Sequence, residues 1–364
     1  ELEESHFGSS LGRPGRTREP SFRRRPRRPG AMSKSTRLPL VQADLAEPKD
    51  WLSPADIQEA FRMQPQCVCP DWSSLKMTVV SVLAPGAIFM RWLLCQASAG
   101  EEDAPRVSWS RVGICSFWAA GALLSFATAA CRNPGVVPRA PPRADEASHD
   151  AAARSNEQVP ARYVSINGTL IKQRWCTTCR VYRPLRAKHC SYCDRCVFRF
   201  DHHCTWLGNC IGLGNYRSFL FLITATALFF GHSAAITLEV LRRDMREGSA
   251  LSGTFEAGRL QVLRRLFILN GGKSLWIAYS VFMFFAFFVL LLYHAVIIGQ
   301  NLTTNEHVRD YYIQRNPFDV TCVDNYRQVF CCPYGSPLPL GSGTEEFRPA
   351  QSFERGQAQV RAAV

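Results

Sequence analysis

Trp276–Gly299 reads WIAYSVFMFFAFFVLLLYHAVIIG, 24 residues without one Asp, Glu, Lys or Arg. As a helix it is about 36 Å long, enough to cross a hydrocarbon core of about 30 Å. A soluble helix of that length would carry a polar face. The run therefore predicts a transmembrane helix over about Leu275 to Gly299. Three further apolar blocks lie upstream, at about Phe219 to Val240, Val112 to Cys131 and Leu75 to Cys95. The block Leu75 to Cys95 is interrupted by Pro85, Gly86 and Arg91. The expected fold is an all-α polytopic membrane protein of four transmembrane helices.

The 364 residues carry a formal net charge of +13, which suits nucleic acid or an anionic membrane surface equally. The apolar blocks favour the membrane, and mean hydropathy is near neutral only because basic tails dilute them. Residues 1–31 include the run Phe22-Arg-Arg-Arg-Pro-Arg-Arg-Pro29 and read as disordered, with a polybasic membrane tether as the alternative. Met32 is a candidate natural start, and no cleavable signal peptide is evident before the first apolar block.

Four spans put both termini and the segment 132–217 on one face. Residues 1–74 hold 12 Lys/Arg and 132–217 hold 14, while loop 96–108, with Glu101, Glu102 and Asp103, has only Arg106. The positive-inside rule makes the richer face cytosolic. Loop 242–274 disagrees: expected to be lumenal, it carries seven basic residues, and an interfacial helix there is one accommodation. The expected organisation is a cytosolic, largely disordered region 1–74, helices 1 and 2 in 75–131, a cytosolic cysteine-rich domain 132–217, helices 3 and 4 with a lumenal loop in 218–299, and a cytosolic region 300–364.

Seven of the 15 cysteines fall between Cys176 and Cys210, interleaved with histidines: Cys176, Cys179, His189, Cys190, Cys193, Cys196, His202, His203, Cys204 and Cys210. Paired Cys-x2-Cys knuckles offer two zinc ligands from one tight turn, and a histidine-containing cluster beside a reducing compartment reads as metal-binding rather than as disulfides. Two closed Cys3His sites would use six cysteines and two histidines. One cysteine and one histidine then remain, with Asp201 adjacent. A thiol, an imidazole and a carboxylate form the layout of an activated nucleophile. The count does not say which cysteine is spare, and a purely structural zinc module or a single zinc with free thiols fits the same spacing. A RING-type module would need a further Cys-x2-Cys pair, and none follows Cys210. A nucleic-acid finger fits poorly between membrane spans, so no nucleic-acid partner is expected.

Asp201-His202-His203-Cys204, followed by Trp206, Asn209-Cys210 and Asn215-Tyr216 after the cysteine ladder, resembles the cysteine-rich domain of the DHHC protein S-acyltransferases. Asn133-Pro134-Gly135, Thr303-Thr304-Asn305-Glu306 and Asn325-x4-Phe330 resemble three further elements of that family, so the likeness runs over roughly residues 75–332. It implies one zinc on Cys176, Cys179, His189 and Cys196 and a second on Cys190, Cys193, His203 and Cys210. Cys204 is then the nucleophile, His202 its base and Asp201 the residue orienting it. Long-chain acyl-CoA, palmitoyl-CoA expected, is the implied co-substrate. The implied partners are the bilayer and substrate proteins with juxtamembrane cysteines. Arg174, Arg183 and Lys188 are candidates for the CoA phosphates, against a reading as ordinary surface charges. Trp206 would cover the thioester or anchor at the interface, and Phe229 would floor the acyl cavity or simply face lipid. Asn325 and Phe330 read as a packing element, with Phe330 in an apolar slot. Thr303, Thr304 and Glu306 read either as helix-end polar caps or, from the resemblance, as contacts to the cysteine-rich domain.

Two departures stand out: Thr205 replaces the family's usual proline and Asn133 its usual aspartate. Activity is expected to survive both. Cys331 and Cys332 are candidates for acylation. His232 and His294, isolated in apolar spans, are read as packing residues. Asn167-Gly168-Thr169 would be a glycosylation sequon only on a lumenal face, and the tail from Gly341 reads as disordered. The expected location is the Golgi or another endomembrane, with the plasma membrane as the alternative.

Overall fold

The computed structural model describes residues 65, 67–68, 70–99, 107–139, 162–166, 169–252, 264, 270–312 and 316–332. The readings made for residues 1–31, Met32, Glu101–Asp103 with Arg106, Asn167-Gly168, Arg259, Arg265 and the tail from Gly341 lie outside the described residues.

Among the described residues, four helices are long and apolar enough to cross a membrane, over Leu75–Ser98, Trp109–Cys131, Tyr216–Glu247 and Gly271–Gly299. The first is composite: α1 (Trp72–Thr78), a π turn (Val79–Leu83) and α2 (Ala84–Ser98). Pro85, which weakened this span in the sequence, sits in the first turn of α2, where a missing N–H costs least. It brings no N–H to Ser81 four residues back, and the Ser81 carbonyl accepts the Tyr279 hydroxyl of the fourth span. The others are α3 (Trp109–Cys131), α4 (Tyr216–Ser252) and α5 (Gly271–Gly299).

Helix α4 is the central one. More than half of its apolar window is buried (56 %), against 17–22 % for the other three, and it packs against both α3 and α5. Small residues permit the approach: a Cβ on Gly231 would lie 3.0 Å from the Phe284 ring of α5. One helical turn of polar contact accompanies it, the Ser233 hydroxyl reaching that of Ser280 at 3.2 Å. In an apolar medium, close packing and such hydrogen bonds hold helices together, because lipid is as apolar as the helices.

The structure also bears on the basic excess of 242–274. Helix α4 runs 37 residues, well past the expected end at Val240, and carries Arg242, Arg243 and Arg246 on its extension. Arg243 pairs with Glu247 at 2.8 Å, and Lys273 of α5 pairs with Asp244. Part of the apparent positive charge is thus offset locally by acids.

Between α3 and α4 the described residues hold no helix. They form four two-stranded antiparallel sheets: β1 (Arg162–Ile166) with β2 (Thr169–Gln173), β3 (Trp175–Cys176) with β4 (Val181–Tyr182), β5 (Lys188–Cys190) with β6 (Arg195–Val197), and β7 (His202–Cys204) with β8 (Asn209–Ile211). These hairpins have almost no apolar core of their own. Phe198, Val137 and three cysteine side chains make up one small cluster, and Val197, Phe200, Cys190 and Cys210 another.

The region is fastened to the membrane helices by asparagines that satisfy helix-end carbonyls. The last carbonyls of a helix have no partner within it. Asn209 donates to Ala130 O (2.9 Å) and Arg132 O (3.1 Å), and Asn215 donates to Ala129 O (2.9 Å), all at the end of α3. Asn325 donates to Gly299 O of α5 at 2.7 Å from helix α7 (Cys322–Phe330). Asn133 forms a turn in which its side-chain oxygen accepts from Gly135 N and Val136 N, both at 2.9 Å. An aspartate would accept equally there, and the amide gains a bond to Pro65 O at 3.0 Å.

Phe330 departs from expectation. It is half-exposed and stacks on Tyr326, while Val329 is the buried residue of that turn. The apolar contact with the membrane helix comes from Tyr326, whose hydroxyl donates to Ala295 O at 2.8 Å.

Gly231→Val forces branched bulk into the α4–α5 contact and is expected to cost about 1–3 kcal/mol, as overpacking does. A lowered melting temperature of the detergent-solubilised protein, with Gly113→Val as an open-space control, checks it.

Candidate functional site

Residue alternation in the short strands sorts the cysteine ladder. In β5, His189 and Cys190 point to opposite faces, as successive strand residues must. His189 faces Cys196, its partner in the β5–β6 register. Its Nδ1 lies 3.5 Å from Cys176 Sγ, 3.5 Å from Cys179 Sγ and 3.8 Å from Cys196 Sγ. Cys190 turns the other way, to a second group. There His203 Nδ1 lies 3.7 Å from Cys190 Sγ, 3.4 Å from Cys193 Sγ and 3.7 Å from Cys210 Sγ. Cys210 is the register partner of His203 in β7–β8.

The donor atoms of each group lie within 4.8 Å of one another. A tetrahedral zinc with Zn–S about 2.3 Å and Zn–N about 2.0 Å has S···N edges of roughly 3.5 Å. Both groups fit that ion. The thiols point the same way chemically. Hydrogen bonds from Cys176 and Cys179, then burial, push the Cys196 thiol pKa up, and Cys190 and Cys193 do the same to Cys210. Three thiolates cannot share so small a space without a cation. Each Cys-x2-Cys knuckle closes through a residue in the left-handed region, Arg180 (φ 54) and Asp194 (φ 51), immediately after its second cysteine.

The same alternation in β7 sets His203 toward the metal ligands and puts His202 and Cys204 on the opposite face. His202 Nδ1 lies 2.7 Å from Asp201 Oδ2, and the imidazole also hydrogen-bonds the Cys204 thiol. Burial opposes charge on His202, but the bonds to Asp201 and Cys204 outweigh it and raise its pKa to about 9. Burial likewise opposes the Asp201 charge, and the bonds from His202 and the Thr304 backbone hold its pKa below the usual range. The Phe219 ring stands edge-on to His202 at 5.3 Å.

Asp201 is itself held from outside the hairpins. Thr304 N and Thr304 Oγ1 donate to its two oxygens at 2.7 and 2.8 Å. Thr303 and Glu306 close a capping box on helix α6 (Thr304–Val308). Thus Thr303 and Glu306 act as caps, and Thr304 and Glu306 both contact the cysteine-rich region. Glu306 also makes a buried pair with Arg186, Nη2 to Oε2 at 2.6 Å and Nε to Oε1 at 2.8 Å. Asn301 accepts from Arg186 and from Arg199, and burial followed by the neighbouring Arg186 lowers the Arg199 pKa to about 10.

Arg174, Arg183 and Lys188 line one open pocket of about 720 Å³, with Lys172 and Arg309. Two polar atoms of its lining, Arg183 Nε and Gln173 Oε1, are buried without a hydrogen-bond partner. Burial, then Arg309 and Arg183, lower the Lys188 pKa. Trp206 is half-exposed two residues from Cys204. Phe229 lies elsewhere, 13 residues into α4 and so about 20 Å from its start. A Cβ on Gly86 would stand 3.7 Å from the Phe229 ring, which also lies edge-on to Phe89, so it faces protein rather than lipid.

The sequence reading missed Arg186, Arg199 and Asn301. Only their burial and mutual contacts distinguish them, and nothing in the local spacing marks them. His294, without a partner in the sequence reading, meets the Tyr216 hydroxyl at 2.9 Å.

Residues 169–311 match the family model described as DHHC palmitoyltransferase. Among curated proteins, the chain is 31 % identical over 271 residues to probable protein S-acyltransferase 7 of Arabidopsis thaliana, covering 72 % of this chain and 58 % of that protein. Probable protein S-acyltransferase 6 of the same plant is 30 % identical over 72 % of this chain and 63 % of its own length. Palmitoyltransferase ZDHHC5 of Bos taurus is 34 % identical over 60 % of this chain and 27 % of its own length. The chain therefore spans less than two thirds of each of these relatives.

Metal analysis of the purified protein is expected to give two zinc ions per chain, falling to one in Cys193→Ala with the other cluster intact. Removing Glu306 leaves the buried Arg186 charge unpaired. Glu306→Ala is expected to cost about 3–5 kcal/mol, read as a large drop in melting temperature.

Proposed function

We propose that the chain, whose residues 169–311 match the family model described as DHHC palmitoyltransferase, is a membrane-embedded protein S-acyltransferase. It moves a long-chain acyl group, palmitoyl in the first instance, from acyl-CoA through Cys204 to cysteines of other proteins. The observation that carries this reading is the contact series Asp201–His202–Cys204, with His202 Nδ1 held at 2.7 Å by a buried carboxylate.

In the first step His202 takes the Cys204 proton. The thiolate attacks the thioester carbonyl of acyl-CoA, a carbon–sulfur bond forms to Cys204, and the bond to the CoA sulfur breaks. The departing CoA thiolate takes the proton back from His202. In the second step a substrate thiol gives its proton to His202 and attacks the Cys204 thioester. Cys204 leaves and is reprotonated by His202. Each step exchanges one thioester for another, so neither needs a large driving force. Asp201 fixes the imidazole tautomer so that the other ring nitrogen faces the thiol.

Cys176, Cys179, His189 and Cys196 would hold one zinc, and Cys190, Cys193, His203 and Cys210 the other. Bound zinc supplies a rigid crosslink for hairpins with little core of their own. The pocket around Arg174, Arg183 and Lys188 suits the CoA phosphates, and the unpartnered Arg183 Nε supports a ligand there. The acyl chain would enter among the helices, with each buried CH2 contributing about 0.8 kcal/mol. Phe229 beside Gly86 would limit its depth. The distribution of basic residues supports a cytosolic placement of the cysteine-rich region and both termini. Juxtamembrane cysteines of other proteins are then the natural acceptors.

Incubation with a clickable palmitoyl-CoA analogue tests the reading. Hydroxylamine-sensitive label is expected on the wild type and absent from Cys204→Ser. Equal labelling of Cys204→Ser, mapped to Cys331 or Cys332, removes Cys204 as the required acceptor. No label on either zinc-loaded protein turns the reading into that of a scaffold. Phe229→Ala is expected to shift preference toward longer acyl chains in competition assays.

A further inference from the structure

The turn that carries Cys204 is gripped by the first membrane helix. Between β7 and β8 the turn closes through Leu207 N donating to Cys204 O at 3.1 Å. Asp71, at the head of α1, donates its backbone N–H to Gly208 O at 2.9 Å. Gly208 has φ +60, and a Cβ there would stand 2.5 Å from Asp71 O, so only glycine permits the approach.

The second grip is a side chain. The Thr78 hydroxyl, 6 % exposed, donates to Trp206 O at 2.5 Å across 128 residues of sequence. Four other hydroxyls in these membrane helices behave differently. Ser81, Ser125, Thr224 and Thr237 each donate to the carbonyl four residues back in their own helix. That is the usual fate of a helical hydroxyl without another partner. Thr78 instead turns to the nucleophile's turn, and the π turn Val79–Leu83 begins at the next residue. Such local unwinding concentrates at functional positions.

We propose that Thr78 is a positioning residue for the acyl-transfer reaction: its bond to Trp206 O fixes the Cys204–Gly208 turn and keeps the thiol aligned with His202. The assignment rests on the acyltransferase reading of this site. It gives a physical role to a buried polar residue near the head of the first span, beside a turn whose second residue is Thr205 rather than a ring-locked proline. Misplacing a reacting group by a fraction of an ångström is enough to slow the step without weakening substrate binding.

The test uses the full chain, zinc-loaded in detergent, as wild type, Thr78→Val, Thr78→Ser and Thr78→Val with Thr205→Pro. Two readouts are taken: acyl-enzyme formation against palmitoyl-CoA concentration, and iodoacetamide alkylation of the Cys204 peptide followed by mass spectrometry. Thr78→Val is expected to slow acyl-enzyme formation about fivefold, the size of one neutral hydrogen bond, with unchanged KM and zinc content. Cys204 alkylation slows with it, alkylation of exposed Cys322 does not, and both Thr78→Ser and the Thr205→Pro double variant recover. Thr78→Val at the wild-type rate, Thr78→Ser as slow as Thr78→Val, or slowing that merely tracks lost zinc each overturn the proposal. If the wild type forms no acyl-enzyme yet Thr78→Val still slows Cys204 alkylation, the acyltransferase reading fails while the grip on the thiol stands. If neither signal appears, both fall.

Discussion

The two-residue period of a β-strand governs the centre of this molecule. In β7 three consecutive side chains must serve two purposes, and alternation separates them: His203 reaches Cys190, Cys193 and Cys210, while His202 and Cys204 share the opposite face. In β5 the same rule sends His189 and Cys190 to different metal-type clusters. A one-residue slip in either hairpin would exchange these faces, so register, cluster composition and the geometry of the thiol are one constraint. Metal ligation at the two clusters would hold the register, because hairpins of two or three residues with so little core are not stable alone.

Buried polar groups take up the next part of the work. Asp201 is almost wholly enclosed, and a carboxylate in such a place is retained only if its oxygens are fully used. His202 and Thr304 use them. The Arg186–Glu306 pair, with Asn301 and Tyr312 around it, ties the segment after α5 to the knuckles by the same logic. Such a network stabilises less than its distances suggest, since both ions are desolvated. What it contributes is a unique docking of the hairpins on the membrane helices, and with it a fixed carboxylate beside the imidazole.

The membrane helices supply depth and a floor. The central α4 starts at the cysteine-rich region and runs down through Phe219, beside His202, to Phe229 beside Gly86. One helix therefore connects the polar site at its head with an aromatic cluster of Phe89, Phe229, Phe230 and Trp276 about 20 Å further along. The first helix, the least regular of the four, touches both levels: Thr78 at the turn of Cys204 and Gly86 at Phe229.

What the sequence by itself determined lies in features that are local along the chain. Long apolar runs set the four spans, because length and hydropathy alone decide whether a segment can cross a bilayer. The Cys/His ladder set the inventory of metal ligands, with Asp201, His202 and Cys204 marked out by adjacency. Local reading failed where the deciding partner is far away in sequence. It weakened the first span at Pro85, whose neighbouring Ser81 carbonyl is capped by Tyr279, and it put Phe330 in a slot that Tyr326 and Val329 fill. It passed over Arg186 and Asn301, whose meaning is a buried contact 115 residues apart. Only the tertiary structure decided these, together with the asparagine caps on α3 and α5 and the grip of Thr78 on Trp206. A hydrogen bond depends on where two groups meet in space, and no spacing or periodicity along the chain carries that information.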